Sequence, residues 1–263
     1  MDIIVDGQKA HVATGGREPL PGEPVVILIH GSGMDRTVWQ FQSRNIAFRG
    51  RRVLGVDLPG HGRSEGAPPK TIAAMADWLG RFMDAAEVET ATLIGHSMGS
   101  LIAMDMAARY PERVEKLVLM GVAETMPVHP ELLEAARQNL PLAPELIVFW
   151  GLGDKAKIGG HPEPGLWIRG ANETLLKLSQ KGVLATDLTA CDIYTEGAAA
   201  AQKVTCPTLF VLGRNDQMTP LKKGLSLADL VKNSHATVIE RSGHMMMCER
   251  PNQVYDALKG FVI

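Results

Sequence analysis

The sequence predicts an α/β fold: a mostly parallel central sheet, helices on both of its faces, and a helical cap inserted late in the chain. Three observations carry that expectation. Short apolar runs alternate with longer runs of helical period, the pattern of strand–helix–strand units. The short runs are apolar throughout instead of alternating, as strands covered on both faces are. Between about residues 122 and 204 this rhythm stops, and proline and glycine become frequent. The chain has 263 residues, 45% hydrophobic and 21% charged, an ordinary globular composition. A chain of that length buries a sizeable core without disulfides or metals.

The elements follow in order. Residues 2–5 and 10–13 flank Asp6-Gly7 and suit a short hairpin. Val25 to Ile29 follows Pro24 and is the first central strand, and Arg52 to Asp57 is the second. From Thr71 to Ala86, Ile72, Met75, Leu79, Phe82 and Met83 form a helical stripe. Ala91 to Ile94 is a third strand. The helix from Met98 to Tyr110 ends before Pro111, and Val114 to Met120 is a fourth strand. Thr208 to Leu212 and Thr237 to Glu240 are the fifth and sixth, and a helix after Pro251 closes the chain. Residues 1–121 and 205–263 are therefore expected to form one core domain. Residues 122–204 are read as a helical cap over the sheet; a longer run of covering helices is the plainer alternative.

Charge and cysteine usage narrow the class. The formal net charge is −2, with Lys and Arg scattered, so no nucleic-acid surface is expected. Cys191, Cys206 and Cys248 are odd in number and widely spaced, which indicates neither a disulfide framework nor a zinc site. His129 and His161 lie among prolines and glycines without metal-ligand spacing, so no metal is expected. Residues 1–9 lack a signal-peptide core, and no apolar run approaches the ~20 residues that span a bilayer. The expectation is a cytoplasmic protein with a small-molecule substrate and no membrane or nucleic-acid partner. The oligomeric state stays open.

Three segments carry chemistry. Gly95-His96-Ser97-Met98-Gly99 joins an apolar strand to a helix, the context that gives G-x-S-x-G its meaning. Ser97 is the candidate nucleophile, and the helix start behind it supplies positive potential for a developing anion. His30-Gly31-Ser32-Gly33 follows the first central strand. The amides of Met98 and Ser32, with Gly33 as the alternative in that loop, are candidate oxyanion donors. His30 itself reads as a loop histidine. Asp216 and His244 each fall in the loop beyond the carboxyl end of a late strand, where open α/β sheets place their sites. A histidine titrating near neutrality can take the serine proton and return it to a leaving group; an aspartate can hold its tautomer. Glu124, Asp187 and Asp192 are the competing acids.

Together these residues resemble the α/β-hydrolase superfamily, over nearly the whole chain outside the insertion. Asp57-Leu58-Pro59-Gly60-His61-Gly62-Arg63-Ser64 is similar to that family's structural strand-end segment. Cys206-Pro207-Thr208-Leu209 with Gly213, Asp216 and Thr219-Pro220 resembles its acid loop. Ser242-Gly243-His244 with Glu249-Arg250-Pro251 resembles its histidine loop. The resemblance implies a serine hydrolase without a cofactor, close to the cap-bearing carboxylesterase, lactonase and C–C-bond hydrolase group. Serine at 97 argues against a haloalkane dehalogenase or epoxide hydrolase. The lack of a dense acidic cluster in the insertion argues against an aminopeptidase.

Three functions are then expected to compete. The first is hydrolysis of an ester, lactone or thioester of a small apolar substrate through an acyl-enzyme. The second is C–C hydrolysis of a vinylogous diketone on the same three residues. The third is a hydrolase-like small-molecule sensor. Trp150 and Trp167 in the insertion, Met245 beside His244, and Trp39 after the oxyanion loop are candidate pocket residues. His96 is assigned no proton transfer.

Overall fold

The computed structural model describes residues 1–162 and 165–263. Eight strands form one sheet: β1 (Asp2–Val5), β2 (Gln8–Ala13), β3 (Val25–Ile29), β4 (Arg52–Val56), β5 (Ala91–His96), β6 (Val114–Met120), β7 (Thr208–Gly213) and β8 (Ser234–Ile239). Their order is β1-β2-β4-β3-β5-β6-β7-β8. β1 and β2 form the hairpin, and β2 meets β4 antiparallel. Every later pairing is parallel, from β4 through β8. The sheet is thus the mostly parallel one expected.

The unbroken apolar runs have a simple physical cause. On β3, Ile27 and Ile29 point into one apolar cluster, and Val26 and Leu28 into another. On β7, Phe210 and Leu212 join the first, and Leu209 and Val211 the second. Alternate residues of one strand thus serve opposite faces, and both faces are covered. The first face holds α2 (Ile72–Ala85) and α3 (Met98–Arg109), and the second α1 (Ser43–Ala47). Thr71 caps α2 by accepting the Ala74 amide at 3.1 Å, which sets the start of that helix.

Among the described residues between β6 and β7, the regular elements are all helices: α4 (Pro130–Arg137), α5 (Leu142–Gly151), α6 (Asp154–Lys157), α7 (Ile168–Lys177), α8 (Val183–Asp192) and α9 (Gly197–Lys203). Leu132, Ile147, Leu152 and Ile168 continue the second cluster upward from the sheet. The last helix of this stretch behaves differently. Ala200 and Ala201 of α9 lie in the first cluster, with α3. As the crossover that leads into β7, α9 covers the sheet instead of the site, so the stretch read as the cap ends in a core helix.

After β7 come α10 (Leu221–Ala228), α11 (Met246–Glu249) and α12 (Pro251–Lys259). β8 begins three residues before the expected Thr237. Ser234 and His235 pair with Thr208 and Leu209, yet they carry no apolar signal because β8 is an edge strand with an exposed start. Among the described residues, no helix is long and apolar enough to cross a membrane.

Phe210 is fully buried on β7, between β6 and the edge strand β8. Phe210→Ala removes a ring that the surrounding strands cannot collapse around. It should lower the unfolding free energy by about 3–5 kcal/mol, measured as a shift of the urea midpoint.

Candidate active site

The site is built where β5 turns into α3. Ser97 occupies that turn with φ 54 and ψ −118, a left-handed conformation disfavoured for a residue with a side chain. Two glycines make the turn possible. A Cβ on Gly95 would overlap the Gly99 carbonyl, and one on Gly99 would overlap the Ile29 carbonyl of β3. Without those side chains α3 approaches the sheet closely. The Ser97 amide donates to Met120 O at 2.8 Å, tying the turn to β6. The Ser100 hydroxyl accepts the Met120 amide at 2.9 Å and lies 2.8 Å from Gly95 O. Met98 opens α3, so its N–H has no acceptor one turn earlier in the helix.

Asp216 and His244 come from the loops after β7 and β8 and meet as a buried pair, His244 Nδ1 donating to Asp216 Oδ2 at 2.8 Å. The carboxylate is held on every side. Its Oδ1 accepts the amides of Met218 and Thr219, at 2.9 and 2.8 Å, and its Oδ2 the Thr219 hydroxyl at 2.7 Å. Burial works to raise the Asp216 pKa. Attraction to the His244 ring and the hydrogen bonds from His244 and Thr219 outweigh it, so the carboxyl lies below its ordinary 3.8. With Nδ1–H committed to Asp216, His244 Nε2 carries the ring's lone pair. Ser97 and His244 line one cavity, and no hydrogen bond among the described residues joins their side chains.

The insertion fixes the histidine loop. The His244 amide donates to Gly151 O at 2.7 Å, at the end of α5. Glu249, almost fully buried, accepts the amides of Gly153 and Gly243, each at 2.9 Å. Burial raises the Glu249 carboxyl above its ordinary 4.5 while those amides pull the other way. His96 lies beneath: its Nε2–H donates to the His244 carbonyl at 2.9 Å, and the two rings are 4.7 Å apart. Burial first, and the neighbouring His244 second, push His96 down to about 3, so it stays neutral. Sequence reasoning assigned His96 no proton transfer but missed this contact with the histidine loop.

The loop after β3 corrects one expectation. Gly33 N–H is not available to a substrate, because it donates to Asp187 Oδ2 at 2.8 Å. Ser32 lines the cavity, and among the described residues no protein acceptor takes its amide. His30 is a loop histidine as read: Nδ1–H donates to Gly31 O at 2.9 Å and Nε2 accepts the Leu58 amide at 3.1 Å. The competing acids are placed elsewhere. Asp192 accepts the Val128 amide at 2.8 Å, Asp187 pairs with His61 at 2.8 Å, and Glu124 is exposed.

The cavity measures about 390 Å³, within the range of small-molecule sites. Trp150 and Met245 line it, with Leu132, Ile147 and Leu188. Trp39 does not: it is fully buried in the second apolar cluster, where its indole fills core volume. Trp167 does not either. It precedes α7 with 66% of its surface exposed. His129, missed as a cavity residue, caps α4 and packs against Trp150 at a tilt of 57°, with ring centres 5.3 Å apart. Among the described residues, no Lys or Arg lines the cavity. Among the described residues, no cluster of three or more His, Cys, Asp or Glu side chains could hold a metal ion.

Comparison with known proteins agrees with this architecture. Residues 24–159, more than half of the chain, match the alpha/beta hydrolase fold family, and residues 167–252 match a serine hydrolase (FSH1) family. The chain belongs to the α/β-hydrolase family. It is 28% identical to an (E)-2-((N-methylformamido)methylene)succinate hydrolase of Acinetobacter baylyi, over 92% of this chain and 90% of that one. It is 29% identical to a 2-hydroxy-6-oxononadienedioate/2-hydroxy-6-oxononatrienedioate hydrolase of a Pseudomonas species, over 92% and 88%. The enol-lactonase of Burkholderia xenovorans LB400 shares its fold with a TM-score of 0.89 at 22% identity, covering 100% of this chain and 99% of that one.

The buried His96 links stability to pH. Above its ordinary 6.5, folded and unfolded chains both hold it neutral. Between 6.5 and about 3 the unfolded chain binds a proton that folded His96 refuses, so acid destabilises the fold. His96→Gln removes that titration. Urea unfolding between about pH 4 and about pH 6 should show a slope shallower by ~1.4 kcal/mol per pH unit than the unaltered protein.

Proposed function

We propose that the protein is a serine hydrolase that cleaves an ester, lactone or thioester bond of a small uncharged substrate. Ser97 Oγ attacks the carbonyl as His244 Nε2 takes its proton. Asp216 keeps Nδ1 protonated and stabilises the imidazolium that forms. The amides of Ser32 and Met98 receive the developing oxyanion, each worth ~3–4 kcal/mol if removed. His244 then protonates the leaving group, and water, activated by the same imidazole, releases the acyl group from Ser97.

The observation that carries the choice of bond is the cavity's lack of positive charge: no Lys or Arg lines it. A carboxylate stripped of water there would have no cation to face. The two curated relatives have names that specify carboxylates, a succinate and a dioate. Those names favour the second reading, C–C hydrolysis on the same residues. Trp150, Leu132 and Ile147 suit an apolar acyl group better than a charged one.

A serine-directed fluorophosphonate should label Ser97 in the unaltered protein and not in Ser97→Ala. Turnover of neutral p-nitrophenyl acyl esters should exceed that of a dicarboxylate ring-fission product by about 100-fold or more in kcat/KM, as an unpaired buried charge requires. Faster cleavage of the dicarboxylate would transfer the assignment to C–C hydrolysis.

A further inference from the structure

Among the described residues, two fully buried carboxylates are left unused by this chemistry, Asp57, which pairs with Arg36, and Asp187, on α8 in the insertion. Asp187 is 0% exposed. Its Oδ2 accepts two hydrogen bonds from core loops, the Gly33 amide at 2.8 Å and His61 Nε2–H at 2.8 Å. Its Oδ1 is buried without a hydrogen-bond partner. A carboxylate in such a place is costly unless a cation faces it.

His61 is that cation on geometry alone. Its Nδ1 faces Pro59 O at 3.0 Å while its Nε2 faces the carboxylate. Both partners are acceptors, so both ring nitrogens carry hydrogen. Burial disfavours the charged ring, but the charge and hydrogen bond of Asp187 outweigh it and hold His61 above its ordinary 6.5. The ion pair thus joins the insertion to the strand-end segment.

The same contact reaches the oxyanion loop. Gly33 has φ 66, and a Cβ there would lie 2.8 Å from Leu184 Cδ1, so α8 presses directly on the loop. Leu188 and Cys191 follow Asp187 on α8 and line the cavity, with Cys191 Sγ 3.7 Å from Ser32 Oγ. One helix face therefore carries both the contact to Gly33 and part of the cavity wall.

We infer that Asp187 is a positioning residue: by accepting Gly33 N–H it orients the peptide between Ser32 and Gly33, and so aims the Ser32 amide at the oxyanion. His61 holds the carboxylate in place. One oxyanion donor, Met98, is thereby set by the strand–helix turn, and the other by the insertion. This inference rests on the serine hydrolase reading above. A donor displaced by about 1 Å is enough to cost ~10²-fold in rate.

The test separates positioning from folding. Replacing both partners, His61→Leu with Asp187→Leu, removes the ion pair as a whole and should retain the fold, but it leaves Gly33 without its acceptor. With p-nitrophenyl butyrate, kcat should fall by about 10–100-fold while KM stays within about twofold. The Ki of an alkylboronic acid that forms a tetrahedral adduct on Ser97 should rise by the same factor as kcat falls. Asp187→Asn can keep its side-chain oxygen at the shared position, where it accepts Gly33 N–H and the Nε2–H of a neutral His61, so it should restore most of the rate. A folded double variant with unchanged kcat and boronate affinity would overturn the inference.

An amide readout needs no turnover and covers a double variant that does not fold. In the unaltered protein the ¹H–¹⁵N signal of Gly33 should lie downfield and exchange slowly, and in Asp187→Asn it should move upfield. A fast-exchanging Gly33 amide in the unaltered protein would also overturn the inference. Failure of fluorophosphonate to label Ser97 would instead remove the hydrolase reading, while the Gly33 signal still decides whether the clamp exists.

Discussion

The close approach of α3 to the sheet is the constraint on which the site depends. Gly95 and Gly99 carry no Cβ, so the helix start can cross β3 and β5 at backbone contact. Only at that distance does the turn force Ser97 into its left-handed conformation, with its hydroxyl at the carboxyl edge of the sheet. The hydrogen bonds from Ser97 N–H to Met120 O, and around Ser100, hold the turn against the strain. The first turn of α3 then leaves the Met98 amide unpaired within the helix, beside the serine.

Around this turn the two halves of the chain depend on each other. The histidine loop is anchored to the insertion through Gly151 O and through Glu249, which bonds Gly153 and Gly243 together. The loop after β3 is anchored to it through Asp187, which accepts the Gly33 amide. Buried hydrogen bonds to carboxylates at 2.8–2.9 Å make those joints stiff. The helices between β6 and β7 therefore do more than roof the cavity. They also restrain the loops that flank Ser97.

The cavity combines two environments. Its floor is polar and directional: the Asp216–His244 pair, neutral His96 and the loop amides. Its walls are apolar and without cations. Neutral His96 supports His244 through a single hydrogen bond to its carbonyl, and does not compete with it for a proton. A low-dielectric wall strengthens the polar contacts on the floor.

Much of this was legible in the residues. The strands β3 to β7 are apolar runs because both sheet faces are covered, and the sequence records that directly. Gly95-His96-Ser97-Met98-Gly99, Asp216 and His244 were readable because local turns and chain order restrict them. The start of β8 was not, since an edge strand needs no apolar pattern. Nor were the places of Trp39 and Trp167, because an indole serves core, wall or surface equally well. Asp187 and His61 lie 126 residues apart, and Gly33 is 154 residues from Asp187. By itself the sequence determined the sheet, the strained serine turn and the placing of Asp216 and His244 in loops beyond late strands, all written in short-range spacing. Tertiary structure alone decided which amide of the oxyanion loop stays free and which aspartate meets which histidine. Those outcomes depend on how a helix without a motif packs onto loops far away along the chain.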